Sequence, residues 1–172
     1  SGDVVALTGT LGAAAAGLAL LQLPVNDPRR QATTAPLLIA AHTRPEPRVL
    51  AGRLALEHGA HVAMDLSDGL FGDLPKILAA SGVAAVIDLG VIPVAASIRA
   101  LFPDRWLELA TRGGEDYELL FTMPRERFDD LREALDDCGM TVTEIGFIEP
   151  ISELPELRAR TLEGEVVPVT AG

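Results

Sequence analysis

Disulfide bonds within this chain are excluded, because Cys138 is its only cysteine. A lone cysteine is typical of a protein from a reducing compartment, and we expect a cytoplasmic location. Aromatic residues are also scarce, at 4% of the 172 residues, whereas hydrophobic residues as a group make up 48%. The core must therefore be built mainly from alanine, leucine and valine.

Excess positive charge and membrane-length apolar segments are lacking as well. The formal net charge is −11, which argues against a non-specific surface for nucleic acid or anionic membrane. The Ala/Leu-rich run from Leu11 to Leu23 is too short to span a bilayer, and Gly12 and Gly17 interrupt it. We expect neither nucleic acid nor membrane as a partner. A phosphorylated ligand is still compatible with this charge, because a bound metal ion can invert the field at one site.

The most informative stretch is 63–70, with the sequence Ala-Met-Asp-Leu-Ser-Asp-Gly-Leu. Apolar residues lead into it, and after Gly69 they recur at helical spacing, which predicts a strand, a tight turn and a helix start. Asp65 would lie at the strand end and Asp68 at the helix entrance, where free backbone N–H groups can receive a phosphate. Two hard oxygen ligands at such a point suit Mg²⁺. Spacing alone equally allows a helix cap by Ser67 or Asp68 and a solvated Asp65.

A second informative stretch is 113–121, with the sequence Gly-Gly-Glu-Asp-Tyr-Glu-Leu-Leu-Phe. The glycine pair predicts a close backbone approach, and the alternation from Tyr117 to Phe121 predicts a buried strand. Glu115 and Asp116 would lie at the mouth of that strand, where unpaired carboxylates are costly unless they bind something. The alternative is an ordinary turn with exposed acidic side chains.

The rest of the chain alternates between strand and helix patterns. We predict strands at 3–8, 84–89 and 141–148, helices at 11–21, 35–42, 49–58, 95–101, 104–111 and 125–137, and a candidate hairpin around Glu163-Gly164. The glycines at 9, 12 and 17 match neither phosphate-binding loop motif, and we expect them to allow close packing of the first helix against the sheet. The segment 44–48, Arg-Pro-Glu-Pro-Arg, predicts either a rigid turn or a guanidinium facing an anion. Because the sequence opens directly on a strand pattern, we expect more protein upstream of Ser1.

Taken together and in this order, the motifs resemble the C-terminal domain of the thiamine-monophosphate kinases. The matching strings lie at 2–5, 8–12, 14–18, 44–48, 64–70 and 113–121. The resemblance covers Gly2 to about Glu149 and implies an α+β fold, a mixed β-sheet with helices packed on it, of the aminoimidazole-ribonucleotide synthetase superfamily. On this division residues 1–150 form the domain, and 151–172 form a C-terminal tail packed on or flanking it.

The resemblance also implies residue roles. Asp65 and Asp68 would bind Mg²⁺, Ser67 would contact ATP, and Glu115 would contact thiamine monophosphate. The family's N-terminal domain, with further metal-binding aspartates and much of the ATP site, is absent from this chain, as is a C-terminal aromatic residue that usually contacts the thiamine moiety. We therefore expect the chain to be inactive alone, and the full-length protein to be a homodimer.

The implied reaction transfers the γ-phosphoryl group of ATP to a phosphate oxygen of thiamine monophosphate, giving thiamine diphosphate. That oxygen is already anionic near neutral pH, so we expect no general base. The difficulty lies in bringing two polyanions into line, which bound Mg²⁺ can relieve.

Two other interpretations are compatible with the same motifs. Another ATP-dependent member of the superfamily, such as a selenophosphate synthetase or a hydrogenase-maturation protein, would share the fold, although the sequence at 113–119 is typical of the thiamine branch. A non-catalytic binding or assembly domain would tolerate Asp65→Asn and Asp68→Asn, whereas a kinase would lose most of its activity.

Overall fold

The computed structural model describes residues 2–151 and 156–169, so the parts of the predicted tail at 152–155 and 170–172 lie outside the described residues. The strands are β1 (Val4–Thr8), β2 (Val62–Asp65), β3 (Ala84–Asp88), β4 (Leu119–Met123), β5 (Val142–Glu149), β6 (Leu157–Arg160) and β7 (Val166–Pro168). The α-helices are α1 (Ala13–Gln22), α2 (Ala35–Thr43), α3 (Val49–Glu57), α4 (Leu70–Ser81), α5 (Ala96–Leu101), α6 (Trp106–Arg112) and α7 (Phe128–Asp136). Short 3₁₀ turns at Pro28–Gln31 and Arg125–Arg127 complete the elements. Among these described residues, no helix is both long and apolar enough to cross a membrane.

The strands form one sheet in the order β2-β4-β1-β5-β3-β6-β7. Every neighbouring pair is antiparallel except β3 and β6, which are parallel. The sheet is therefore mixed, as the resemblance implied. The predicted hairpin around Glu163-Gly164 is present as β6 and β7, and through β6 it continues the sheet beyond β3.

Helices cover both faces of the sheet, and β1 contributes to both layers. All five residues of β1 are buried. Val5 and Leu7 belong to a core formed with the buried face of α4, whereas Val4 and Ala6 belong to a second core formed with α3 and α7. Strand side chains alternate between the two faces of a sheet, so one short apolar strand supplies both cores. The apolar spacing after Gly69 is confirmed, because it places the buried residues of α4 on one side of that helix.

The prediction that the small residues of the first helix pack against the sheet is wrong. Helix α1 lies against α2, and a Cβ atom built on Gly17 would be 2.1 Å from the carbonyl oxygen of Leu38. The two helix backbones thus touch at Gly17, and Ala16 and Leu20 pack in a third cluster with α2, α5 and α6 rather than on a strand. Sequence periodicity identifies a small-residue face but not which neighbour lies on it.

Substituting alanine at Gly17 is expected to destabilise the protein by roughly 2–3 kcal/mol, because the added methyl group forces α1 and α2 apart. Gly52 in α3 provides a matched control, since its Cβ would meet only a side-chain carbon of Leu119 at 3.6 Å. Gly52→Ala should be neutral or stabilising by about 0.5–1 kcal/mol, as for an unconstrained glycine within a helix. Urea unfolding of the two variants measures the difference, and equal midpoints would contradict the close contact.

Candidate functional site

The two informative stretches meet where β2 and β4 pair. Asp65 stands opposite Leu119 in this antiparallel ladder. Beyond the ladder, the N–H of Leu66 donates to the carbonyl of Glu118 at 2.9 Å, and the N–H of Glu115 donates to the carbonyl of Ser67 at 3.0 Å. Loops about 50 residues apart in sequence are thus bonded along their backbones, which fixes one set of acidic side chains relative to the other.

Glycines allow this approach. A Cβ on Gly114 would be 2.4 Å from the carbonyl oxygen of Ser67, and one on Gly69 would be 2.7 Å from the carbonyl oxygen of Gly113. Gly69 also has φ of +81°, in the left-handed region that favours glycine. The predicted close approach at the glycine pair is confirmed.

Asp65 and Asp68 are both exposed at this junction, one at the end of β2 and the other before α4, and Ser67 is half-buried between them. The alternative in which Ser67 or Asp68 caps the helix is wrong. Gly69 is the N-cap residue of α4, and no side chain accepts a capping hydrogen bond there. Asp65 is an exposed residue at a strand end, as the alternative also allowed, whereas Asp68 is exposed and does not cap the helix.

Asp73 holds this loop in place, and the sequence patterns did not single it out. It is 1% exposed, and its Oδ2 accepts hydrogen bonds from the backbone N–H groups of Ser67 and Asp68, each at 2.9 Å. The prediction that free N–H groups here receive a phosphate is therefore wrong for these two residues, because a buried carboxylate occupies them. An acidic residue in the first helical turn was the available signal.

Lys76 places a positive charge at the same point. Its Nζ lies 2.7 Å from Oδ1 of Asp73 and 2.5 Å from Oδ2 of Asp68. These two hydrogen bonds raise the pKa of Lys76 above its ordinary value, and the bond to Asp68 has the larger effect. The exposed carboxylate of Asp68 thus forms an ion pair with the ammonium group of Lys76.

Tyr117 and Glu115 complete the mouth of the site. The hydroxyl of Tyr117 donates to Oε2 of Glu115 at 3.4 Å. The charge of Glu115 raises the pKa of Tyr117, with smaller contributions from burial, from this hydrogen bond and from the charges of Asp65 and Asp68. The phenol of Tyr117 therefore lies within the field of the carboxylates of Asp65, Asp68 and Glu115.

The prediction that the strand begins near Tyr117 is wrong, because β4 starts at Leu119. Glu115 and Tyr117 have φ of 71° and 50°, in the left-handed region that non-glycine residues rarely adopt. These positive φ values lie between the glycine pair and β4, and backbone strain of this kind is common at functional sites.

Asp116 points to the opposite side of the loop and caps helix α1. Its Oδ2 accepts from the N–H of Gly12 at 2.6 Å and its Oδ1 from the N–H of Ala14 at 2.9 Å. The alternative of a simple turn with exposed acidic residues is wrong for Asp116, which is half-buried, and describes only Glu115. Burial raises the pKa of Asp116 to about 6, because it outweighs the backbone hydrogen bonds that favour the charged form; the charge of Glu118 adds to the rise.

This carboxylate predicts a pH-dependent stability. An acid whose pKa is higher in the folded than in the unfolded state stabilises the folded state at low pH. For Asp116 this contribution is complete below pH 3.8, the pKa of the group in the unfolded state, and it is lost as the pH rises through about 6. The free energy of unfolding of the native chain, compared with that of Asp116→Asn, should therefore fall by roughly 3 kcal/mol between about pH 4 and 6.5. Above this range the difference between the two proteins should stay constant. Urea unfolding across this range measures it. Parallel stability curves for the two proteins would exclude the effect.

Glu118, two residues after Asp116, forms a salt bridge with Arg48 of the segment 44–48. Glu118 is 5% exposed and accepts two hydrogen bonds from the guanidinium, from Nη2 at 2.7 Å and from Nε at 2.8 Å. The hydroxyl of Thr8 donates a third at 2.6 Å. The guanidinium of Arg48 thus faces an anion, as one of the two interpretations of this segment held, and the anion is a buried side chain of the same chain.

Two cavities flank these loops. Asp116 and Glu118 line a cleft of about 680 Å³ together with Thr10, Leu37 and Arg44. Glu115 lines a second cavity of about 290 Å³ with His42, Arg105 and Glu108. In the described ranges 2–151 and 156–169, no group of three or more His, Cys, Asp or Glu side chains is arranged to hold a metal ion.

Comparison with known families identifies the class of protein. The family described as "AIR synthase related protein, C-terminal domain" matches residues 1–152, and the chain belongs to this family. Within it, the chain is 46% identical over 148 residues to the thiamine-monophosphate kinase of Escherichia coli strain K12, an alignment that covers 84% of this chain and 44% of that protein. The chain therefore spans less than half the length of such relatives.

Solved structures give the same result. The crystal structure of thiamine-monophosphate kinase from Stenotrophomonas maltophilia K279a superposes with a TM-score of 0.79 at 36% identity, covering 95% of this chain and 51% of that one. A structure described as AaThiL complexed with AMPPCP and TMP superposes at 0.75 with 30% identity, covering 97% and 51%. The E. coli hydrogenase maturation protein HypE, at 0.69 and 18% identity over 99% of this chain and 50% of its own, shares the fold alone. The resemblance to thiamine-monophosphate kinases is confirmed.

Proposed function

We propose that this chain is the C-terminal part of an ATP-dependent kinase that phosphorylates thiamine monophosphate to thiamine diphosphate. The observation that carries the proposal is the backbone pairing of the two loops, which gathers Asp65, Asp68 and Glu115 around Tyr117. Thiamine-monophosphate kinases are the relatives at 46% and 36% identity, and one related structure was solved with AMPPCP and TMP.

Asp65 and Asp68 would hold Mg²⁺ in this function. Both offer hard carboxylate oxygens to solvent, and Asp68 already accepts a cation in the form of the Lys76 ammonium, so the donor set fits the ion. Two carboxylates are fewer than the ligands that Mg²⁺ takes, and the remainder would come from phosphate oxygens, water and the rest of the protein. Bound Mg²⁺ would neutralise charge on the two phosphorylated substrates.

The chain's own residues would position the reactants. Asp73 fixes the loop from which Ser67 would contact ATP, and Glu115, which lines the cavity of about 290 Å³, would contact thiamine monophosphate. The acceptor phosphate oxygen is anionic near neutral pH, so the proposed mechanism needs no general base from this chain.

The relatives' greater length supports a further part of the proposal. An N-terminal domain of the same polypeptide would supply the remaining ATP and metal contacts, since the alignments cover only 44% and 51% of the related chains. We propose that the full-length protein is a homodimer and that this chain alone is inactive.

The decisive experiment is formation of thiamine diphosphate from thiamine monophosphate, ATP and Mg²⁺ by the polypeptide that joins this chain to its N-terminal domain. Product detected by chromatography supports the kinase, with thiamine as acceptor in a parallel reaction to check specificity. No product from a folded protein would exclude the thiamine assignment and direct attention to the sister activities of the superfamily.

A further inference from the structure

Lys76 is the only lysine in a chain that otherwise carries 13 arginines, and it lies within the candidate site. Its ammonium group bridges two carboxylates, Oδ1 of Asp73 at 2.7 Å and Oδ2 of Asp68 at 2.5 Å. A lysine ammonium is a compact point charge on a flexible stem, whereas arginine presents a planar fork. Among the charged groups, Lys76 is therefore the closest match in shape to a bound metal cation.

The two carboxylates differ in how firmly they are held. The Asp73 side chain is 2% exposed, and its other oxygen is bound by the N–H groups of Ser67 and Asp68. The Asp68 side chain is 65% exposed, and the ammonium is its one recorded side-chain partner among the described residues. The lysine side chain is itself 51% exposed, so it has room to move while Asp73 keeps its position.

Exposed ion pairs of this kind are weak, because water screens both charges. A divalent ion that approaches Asp68 therefore has little to displace. The two contacts use different carboxylates, Asp73 within helix α4 and Asp68 before it, so the contact to Asp68 can be lost without the contact to Asp73.

We propose that the Lys76 ammonium pairs with the Asp68 carboxylate when no divalent ion is bound. When a divalent ion binds Asp68, the ammonium leaves Asp68 and stays paired with Asp73. The inference rests on the proposed function, in which Asp68 is a metal ligand. Lys76 is then a positioning residue. Its ammonium keeps the Asp68 carboxylate paired in the absence of metal, and this competition lowers the affinity of Asp68 for the divalent ion. Divalent-ion binding is thus an exchange of cations rather than the filling of a bare carboxylate.

Nuclear magnetic resonance on the 172-residue chain tests the exchange directly, because a [¹³C]lysine label gives a single Cε–Hε signal. Mg²⁺ is titrated at constant ionic strength while this signal and the backbone amides of Ser67 and Asp68 are followed. We expect the lysine signal and the amides to shift along one binding curve, and Asp68→Asn to abolish the lysine shift.

The possible outcomes distinguish the exchange at Lys76 from the metal role of Asp68. Amides that shift while the Lys76 signal stays fixed would overturn the exchange and leave the metal role of Asp68 intact. If neither set of signals moves at high Mg²⁺ concentration, the metal assignment in this chain is wrong, and the exchange is wrong with it.

A pair of variants gives an independent measurement. Lys76→Met keeps the length of the stem but removes the charge, and it should tighten Mg²⁺ binding by roughly two- to five-fold, the factor that an exposed ion pair is worth. Arg53→Met is the matched control, since Arg53 forms an exposed i,i+4 pair with Glu57 on helix α3. Unchanged or weaker Mg²⁺ binding by Lys76→Met, with the amide spectrum of a folded chain, would overturn the proposal.

Discussion

Asp65→Asn and Asp68→Asn, each introduced into the full-length protein, will reduce kcat/KM for thiamine diphosphate formation by about 10²–10³-fold. In the proposed site, each substitution would replace a charged oxygen ligand with a neutral one and leave the charge of the phosphate groups less compensated. Losing one such electrostatic contribution typically costs this much. Both side chains are exposed, so the free energy of unfolding should change little. Steady-state kinetics at several Mg²⁺ concentrations is the measurement.

Asp88→Asn provides the control for this experiment. Asp88 also ends a strand, β3, but it binds the N–H of Gly90 and lines a different surface, with Glu144 and Arg160. Its substitution should leave the kinetics unchanged. Normal turnover by both Asp65 and Asp68 variants would remove the metal role from these residues and favour a non-catalytic use of the domain.

Arg48→Met will destabilise the protein by about 3 kcal/mol. The substitution leaves the carboxylate of Glu118 buried with the Thr8 hydroxyl as its remaining side-chain donor, and removing one partner of a buried pair is strongly unfavourable. The expected loss is at the lower end of the usual range because the Arg48 side chain is 30% exposed. Thermal and urea unfolding of the 172-residue chain measure it.

The same Arg53→Met variant serves as the comparison, because its exposed pair with Glu57 is worth only about 0.3–0.5 kcal/mol. Equal losses in the two variants would mean that Glu118 finds other partners when Arg48 is removed.

Local patterns predicted the elements of this fold well. The strand-turn-helix at 62–81 was recognised because its apolar residues change from strand to helix spacing at Gly69, and this information is contained within about 20 residues. The backbone at Tyr117 was assigned wrongly for the complementary reason. An aromatic residue within an alternating run is typical of a strand, whereas Tyr117 has a positive φ in the folded loop, where its N–H donates to the carbonyl of Leu66.

The supporting carboxylates could not be predicted in the same way. Asp116 caps a helix 102 residues earlier in the chain, and Glu118 pairs with Arg48 across 70 residues. A single sequence does not indicate which of its 25 acidic residues find such partners. Asp116 and Glu118 belong to the same short motif as Glu115, but the tertiary fold decides which of these carboxylates is exposed and which is bound by a distant partner.

The central position of β1 has a consequence for synthesis on the ribosome. Val4 pairs with Met123 on one side and with Phe147 on the other, so the first described strand has no partner until the last third of the domain is made. At usual elongation rates this interval is on the order of ten seconds, during which the four apolar residues of β1 have no strand to pair with. Such a segment is a template for pairing with other chains. We therefore expect β1 of the nascent polypeptide to need shielding, for example by a chaperone, until β4 and β5 have been made.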